Sequence, residues 1–143
     1  MNNFKMMIKI AAFSGILMVK ATNAEVLVIV NKTNPLNTIT EKELYDIYLG
    51  RKTKFSDGKS VTPYNLEYTG NSREEFEEKI LDKSRKSMSK YWSKRIFTGK
   101  GKPPRVVASD AEMMNIVSTR SNAIGYVDAN AVNSSVKVIF RVK

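Results

Sequence analysis

Residues 26–55, VLVIVNKTNPLNTITEKELYDIYLGRKTKF, restrict the fold more than any other stretch of the chain. Glu25 to Asn31 is apolar and rich in β-branched residues, the composition of a strand buried on both faces, and Asn34-Pro35 ends it. Thr40, with Glu43 three residues on, spells a capping box, and Ile39 stands where it can staple onto Leu44. Leu44, Ile47 and Tyr48 share one helical face, and Gly50 is a suitable stop. A buried strand followed by a one-sided helix is the opening unit of an α/β alternation.

The alternation continues. Phe55-Ser56-Asp57-Gly58 reads as a turn, and Ser60 to Leu66 as a short strand. A helix is expected from Asn71 or Ser72, with Glu74 or Glu75 in a capping-box position and Phe76, Ile80 and Leu81 on its apolar side. Another runs from about Lys86 to Phe97, burying Met88, Trp92 and Ile96 with Tyr91 adjacent, and ends at Gly99. The Gly- and Pro-rich segment TGKGKPPR, residues 98–105, is a loop leading to a short extended piece at Val106-Val107. Ser109 and Glu112 form a further capping box ahead of Met113, Ile116 and Val117. Ala123 to Asp128 reads as a strand in which Gly125 allows close approach of a neighbouring backbone. Val136 to Val142 alternates apolar and basic residues except at Ile139. With no internal repeat or second linker, these elements define a single-domain α/β sandwich.

The N-terminus has the layout of a secretory signal peptide: Lys5 and Lys9 without an acid, an apolar run from Ile10 to Val19, and small residues at Ala21 to Ala24. Cleavage is expected after Ala24, leaving residues 25–143 as the exported, periplasmic domain with no transmembrane span. The run is well short of the ~20 apolar residues that a spanning helix needs.

Composition removes most catalytic chemistries. The chain has no cysteine and no histidine, so Ser-His and Cys-His pairs cannot form and zinc, copper and haem lose their usual ligands. No cofactor or metal is expected, and no enzyme activity. Glu74, Glu75, Glu77 and Glu78 read as an exposed helix face and not as acid–base machinery. The net charge is +10, and from Lys83 to Arg105 nine cations stand without an acid. Such a segment attracts polyanions. For an exported protein the candidates are anionic lipid headgroups, acidic polysaccharide or an anionic solute, not nucleic acid; a plain solvated basic face fits equally.

Three stretches together resemble a known family: the opening run through Tyr48-Leu49-Gly50; Tyr91-Trp92 through Ile96-Phe97-Thr98-Gly99-Lys100-Gly101-Lys102-Pro103-Pro104-Arg105; and Ala123-Ile124-Gly125-Tyr126-Val127. In order and spacing they are similar to the short phosphate ABC transporter substrate-binding-like proteins, exported relatives of the second lobe of the phosphate-binding protein. The resemblance implies one lobe of a type 2 periplasmic binding protein, a non-catalytic role linked to phosphate transport, and a small phosphate-like anion as ligand. It also implies a site. In that family a Ser-Gly-Thr loop at a helix start, preceded by an Arg, contacts phosphate; the matching place here is Asn71-Ser72-Arg73. Gly and Thr of the pattern are replaced by Ser72 and Arg73, and Asn65 or Glu67 stands near the place of the preceding Arg.

The residues themselves permit such a site. Unpaired amides and the positive dipole end of a helix attract anions. Thr69, Asn71 and Ser72 can add donors, and Arg73 can form a two-pronged contact with phosphate or carboxylate. Simple capping explains the same residue types, with Glu74 and Glu75 complementing the dipole. Trp92 suits the core better than a ligand platform. Tyr126 fits either role, and Lys100, Lys102 and Arg105 suit a cleft rim or a soluble loop. A different class of function also fits: an envelope interaction protein, a binding-protein lobe reused to dock on another protein or an acidic polymer.

Overall fold

The computed structural model describes residues 25–143 together with Gly15. The expected signal peptide and its cleavage point lie outside the described residues. Five strands, β1 (Val26–Asn31), β2 (Thr62–Leu66), β3 (Arg105–Val107), β4 (Ala123–Asp128) and β5 (Val136–Val142), form one sheet in the order β3-β2-β4-β1-β5. β2 runs parallel to both β3 and β4, whereas β1 is antiparallel to β4 and β5. Four helices join them: α1 (Glu41–Tyr48), α2 (Ser72–Ile80), α3 (Arg85–Phe97) and α4 (Asp110–Thr119).

The α/β class expected from the sequence is the one observed, with helices on both faces of the sheet. Successive residues of a strand point to opposite faces. Tyr126 of β4 stacks on Phe76 of α2, centroids 4.2 Å apart, and lies 5.9 Å from Tyr48 of α1. Its neighbour Gly125 faces Met113 of α4. Chain direction explains this division. The connection β2-α2-α3-β3 steps one way across the sheet and β3-α4-β4 steps back, so crossovers of one hand must cover opposite faces. β1, every residue of which is buried, is covered on both sides as its composition requires.

Local details follow the sequence closely in some places and depart from it in others. The α1 capping box forms: Thr40 Oγ1 accepts from the Glu43 amide at 3.1 Å, and the Glu43 carboxylate accepts from the Thr40 amide at 3.1 Å. At α4 only half of the box exists, because Glu112 reaches past Ser109 to accept from the Ala108 amide at 2.9 Å. Gly125 does admit a close neighbour, but it is a side chain and not a backbone. A Cβ there would meet the buried Met113 thioether, with Cγ at 3.1 Å. In β5 the alternation breaks at Ile139 because the pairing with β1 skips that residue, Val28 facing Phe140 and Ile29 facing Val138. Ile139 is the extra residue of a bulge, and it is buried.

Ile96, expected inside, is 56% exposed. Each step of four residues turns a helical stripe by about 40°. Met88 and Trp92 stay under cover, while a second step carries Ile96 out of the interface. Trp92 is buried against Gly50 at the end of α1, so it belongs to the core.

Candidate functional site

β2, β3 and β4 are parallel, so their carboxyl ends lie along one edge of the sheet. There the chain leaves β2 for α2 on one face and β3 for α4 on the other. In open α/β sheets such a reversal opens a crevice between adjacent strand ends, where ligands bind. A depression of about 140 Å³ occupies this place, lined after β2 by Leu66, Glu67, Thr69, Gly70 and Ser72, and after β3 by Ala108, Ser109 and Asp110. A broader, more open one of about 540 Å³ adjoins it through Gly70, Ser72 and Asp110, and reaches Asn71, Asp128 and Asn130.

The core sets the position of α2 at this edge. Phe76 is fully buried, stacked on Tyr126 and edge-on to Tyr48 at 4.7 Å. The Tyr126 hydroxyl donates to Asn65 Oδ1 at 3.0 Å and accepts from the Leu66 amide at 3.3 Å, tying β4 to the last residues of β2. Tyr126 is thus a core residue, its phenol pushed well up by burial. Asn65, one of the two residues near the place of the family's Arg, is buried in the same network, whereas Glu67 is exposed and lines the depression.

The start of α2 differs from the capping expected of it. Asn71 occupies the cap position with helical angles, φ −87° and ψ −14°, and its side chain caps nothing. Glu74 and Glu75 do not close a box either: Glu74 pairs with Arg85 at 2.6 Å and Glu75 with Lys79 at 2.6 Å. The Glu75 amide donates to the Asn71 carbonyl at 2.9 Å, so the amides of Ser72, Arg73 and Glu74 precede the helical ladder and have no acceptor within it.

Of the four residues singled out by the sequence, Thr69, Asn71 and Ser72 line the two depressions. The Arg73 side chain turns the other way. Its guanidinium donates to the Leu66 carbonyl at 3.1 Å and to Glu77 at 3.4 Å, and lies 3.9 Å from the Tyr68 ring centroid. Arg85 lies 3.9 Å from the same centroid. The Tyr68 ring thus has a cation–π contact with each of two guanidinium groups.

Glu77 completes this cluster and corrects the expectation of an exposed acidic face, being only 1% exposed. The i, i+4 spacing from Arg73 places it inward, beneath Tyr68. Burial raises its pKa, opposed by the bond from the Tyr68 hydroxyl and by the Arg73 and Arg85 charges. The Tyr68 phenol, partly buried beside this carboxylate, is pushed up to about 12.

The mouth of the site also carries acid. Burial raises the pKa of Asp110 and the nearby Asp128 charge adds to the rise, while the Asp128 backbone opposes it. Asp128 in turn accepts from the Asn130 amide at 2.8 Å. Neither acid was singled out in the sequence, because they lie on separate elements and only the crossover through α4 brings them together. Among the described residues no cluster of three metal-ligating side chains occurs, and no helix is long and apolar enough to cross a membrane.

No family model and no curated protein matches the sequence. Solved structures do match the fold. An ABC-type phosphate transport receptor from Vibrio cholerae superposes with a TM-score of 0.66 at 24% identity, over 80% of this chain and 45% of that one. A Clostridium perfringens protein solved with bound phosphate gives 0.64 at 21% identity, over 80% and 44%. PstS from Borrelia burgdorferi gives 0.60 at 15% identity, over 80% and 46%. The described domain therefore has the fold of one lobe of the phosphate ABC transporter substrate-binding proteins. This chain spans less than half the length of each of these three structures.

Proposed function

We propose that this chain is an exported, non-catalytic solute-binding-like protein whose ligand is a small, phosphate-like oxyanion held at the N-terminus of α2. The observation that carries this reading is the uncapped start of α2, opening where the carboxyl ends of β2 and β3 diverge. Free amides and the positive helix dipole supply anion recognition, and Thr69, Asn71 and Ser72 add side-chain donors. Arg73 contributes its backbone amide, while its guanidinium holds the preceding loop. The fold shared with phosphate receptors supports the same ligand class.

Asp110 and Asp128 narrow that class. A fully deprotonated anion meets like charge at the mouth, whereas an oxyanion that keeps a proton can donate to one of these carboxylates. Hydrogen phosphate meets this requirement and sulfate does not. The site lies on one lobe and is open to water, so its charge interactions are screened and weak binding is expected. Calorimetric titration with phosphate and with sulfate tests the proposal: phosphate should give saturable heat in the millimolar range and sulfate less. Absence of both heat and thermal stabilisation at millimolar phosphate refutes it.

A further inference from the structure

α3 presents two unlike faces. Met88 and Trp92 are buried on one. On the other, Lys86, Lys90, Lys94 and Phe97 are all exposed, and at 100° per residue they fall within an arc of about 80°. Phe97 ends this basic stripe and is 92% exposed, flanked by Ile96 at 56% and, beyond the loop, Val106 at 43%. These are the exposed large apolar side chains among the described residues. Lys100, Lys102 and Arg105 surround them in sequence, and none of these six cations forms an ion pair among the described residues. The Arg95 side chain donates to the Gly50 carbonyl at 3.3 Å and the Lys100 carbonyl at 3.1 Å, fixing the loop against the body of the domain. The apolar tip is thereby held out on a braced support.

We propose that the α3 stripe and its Phe97 tip form a peripheral docking face for an anionic phospholipid surface. Charge complementarity selects the partner's sign, since acidic headgroups attract an uncompensated lysine row. The apolar tip selects its kind. A soluble polyanion meets lysines and gains nothing from a phenyl ring, whereas a bilayer interface accepts an aromatic or aliphatic group beneath the layer that attracts the lysines. The chain leaves this end of α3 toward the amino end of β3, away from the strand ends that carry the α2 depression. Docking and anion recognition are therefore separable.

The test is co-sedimentation of the full chain with phosphatidylcholine vesicles, with and without phosphatidylglycerol, for the native protein, Lys86→Glu/Lys90→Glu/Lys94→Glu and Phe97→Ser. Residues 1–24 are common to all three, so differences among them report the α3 face. The lysine variant, which reverses three charges, should lose at least about 100-fold in partitioning to anionic vesicles at low salt, and Phe97→Ser roughly tenfold. All four positions are exposed, and unchanged thermal unfolding will show that the variants keep the fold. Equal partitioning of all three proteins overturns the proposal. A loss confined to the lysine variant, with Phe97→Ser binding as the native chain does, also overturns it in favour of a soluble acidic polymer or protein surface.

Discussion

Replacing Arg73 by Met separates two roles that its charge could serve. The Arg73 side chain is 13% exposed and its partner Glu77 is 1% exposed, so the substitution leaves a buried carboxylate whose remaining polar neighbours are Tyr68 and Arg85. Burial already raises the Glu77 pKa, and Arg73 is one of the groups opposing that rise. The native state therefore holds the Glu77 proton more tightly than the unfolded chain does. Its contribution to stability falls as pH rises from the unfolded carboxylate value toward the folded one. Loss of Arg73 widens this window and deepens the loss. Below the unfolded value, about 4.3, Glu77 is protonated in both states, and the variant loses the bond to Leu66 and the cation–π contact with Tyr68, together about 1–2 kcal/mol. Above neutrality it keeps a buried charge without its ion-pair partner, at a cost of about 3 kcal/mol. Urea unfolding followed by the single tryptophan, Trp92, at pH 4 and pH 8 measures both values. Adding Glu77→Gln should make the deficit independent of pH. An equal deficit at the two pH values refutes the argument that Arg73 neutralises a buried Glu77. A folded Arg73→Met protein that still gives saturable heat with phosphate, at weaker affinity than the native chain, would show that the guanidinium is not a ligand.

Two further substitutions test the site and the layering. Ser72→Asp puts a carboxylate at the open start of α2, which should abolish phosphate heat while adding about 0.3–1 kcal/mol through the helix dipole; unchanged phosphate binding would place the anion elsewhere. Gly125→Ala drives a methyl group into Met113 and should cost about 1–3 kcal/mol by overpacking. Met113→Ala alone should cost about 2–5 kcal/mol as a cavity, and the double variant should fall short of the sum by at least about 0.5 kcal/mol. Strict additivity in denaturant unfolding would mean that α4 does not cover this face of the sheet.

The architecture was legible where a residue's neighbours in sequence decide its environment. The Thr40–Glu43 box and the Leu44, Ile47 and Tyr48 face arise within two helical turns, and the burial of β1 is written in its unbroken apolar run. What escaped depends on contacts between elements that only the folded chain makes. Glu77 sits between Ile80 and Leu81 on the buried arc of α2, where its spacing is that of a core residue and only its charge argued for solvent; Tyr68, Arg73 and Arg85 together make its burial tolerable. Asn31 ends a strand in a way that looks like a turn signal. Its side chain instead donates to the carbonyls of Val117 at 3.0 Å and Ser118 at 3.2 Å, fastening the end of α4 to β1. Polar residues buried by partners 86 positions away carry no local mark, and the pairing of Asp110 with Asp128 is of the same kind.

The position of the candidate site was legible, but the reason for its openness was not. Thr40, Ser84 and Ser109 each cap their helix from extended backbone, the conformation that aims a cap side chain at the amides. Asn71 has a side chain suited to that task but a helical backbone unsuited to it. Its loop is held at two points near its start: Leu66 by the Tyr126 hydroxyl and by Arg73, and Tyr68 by Glu77 and two guanidinium groups. These contacts fix the chain before it reaches Asn71 and leave it little freedom to turn into a cap. The forgone cap costs about 1 kcal/mol, which the fixed loop must offset. At the proposed anion site the Arg73–Tyr68–Glu77 cluster would therefore act at one remove: it would hold the α2 amides bare, so loosening it should let Asn71 close over them and weaken phosphate binding without removing any group that touches the ligand.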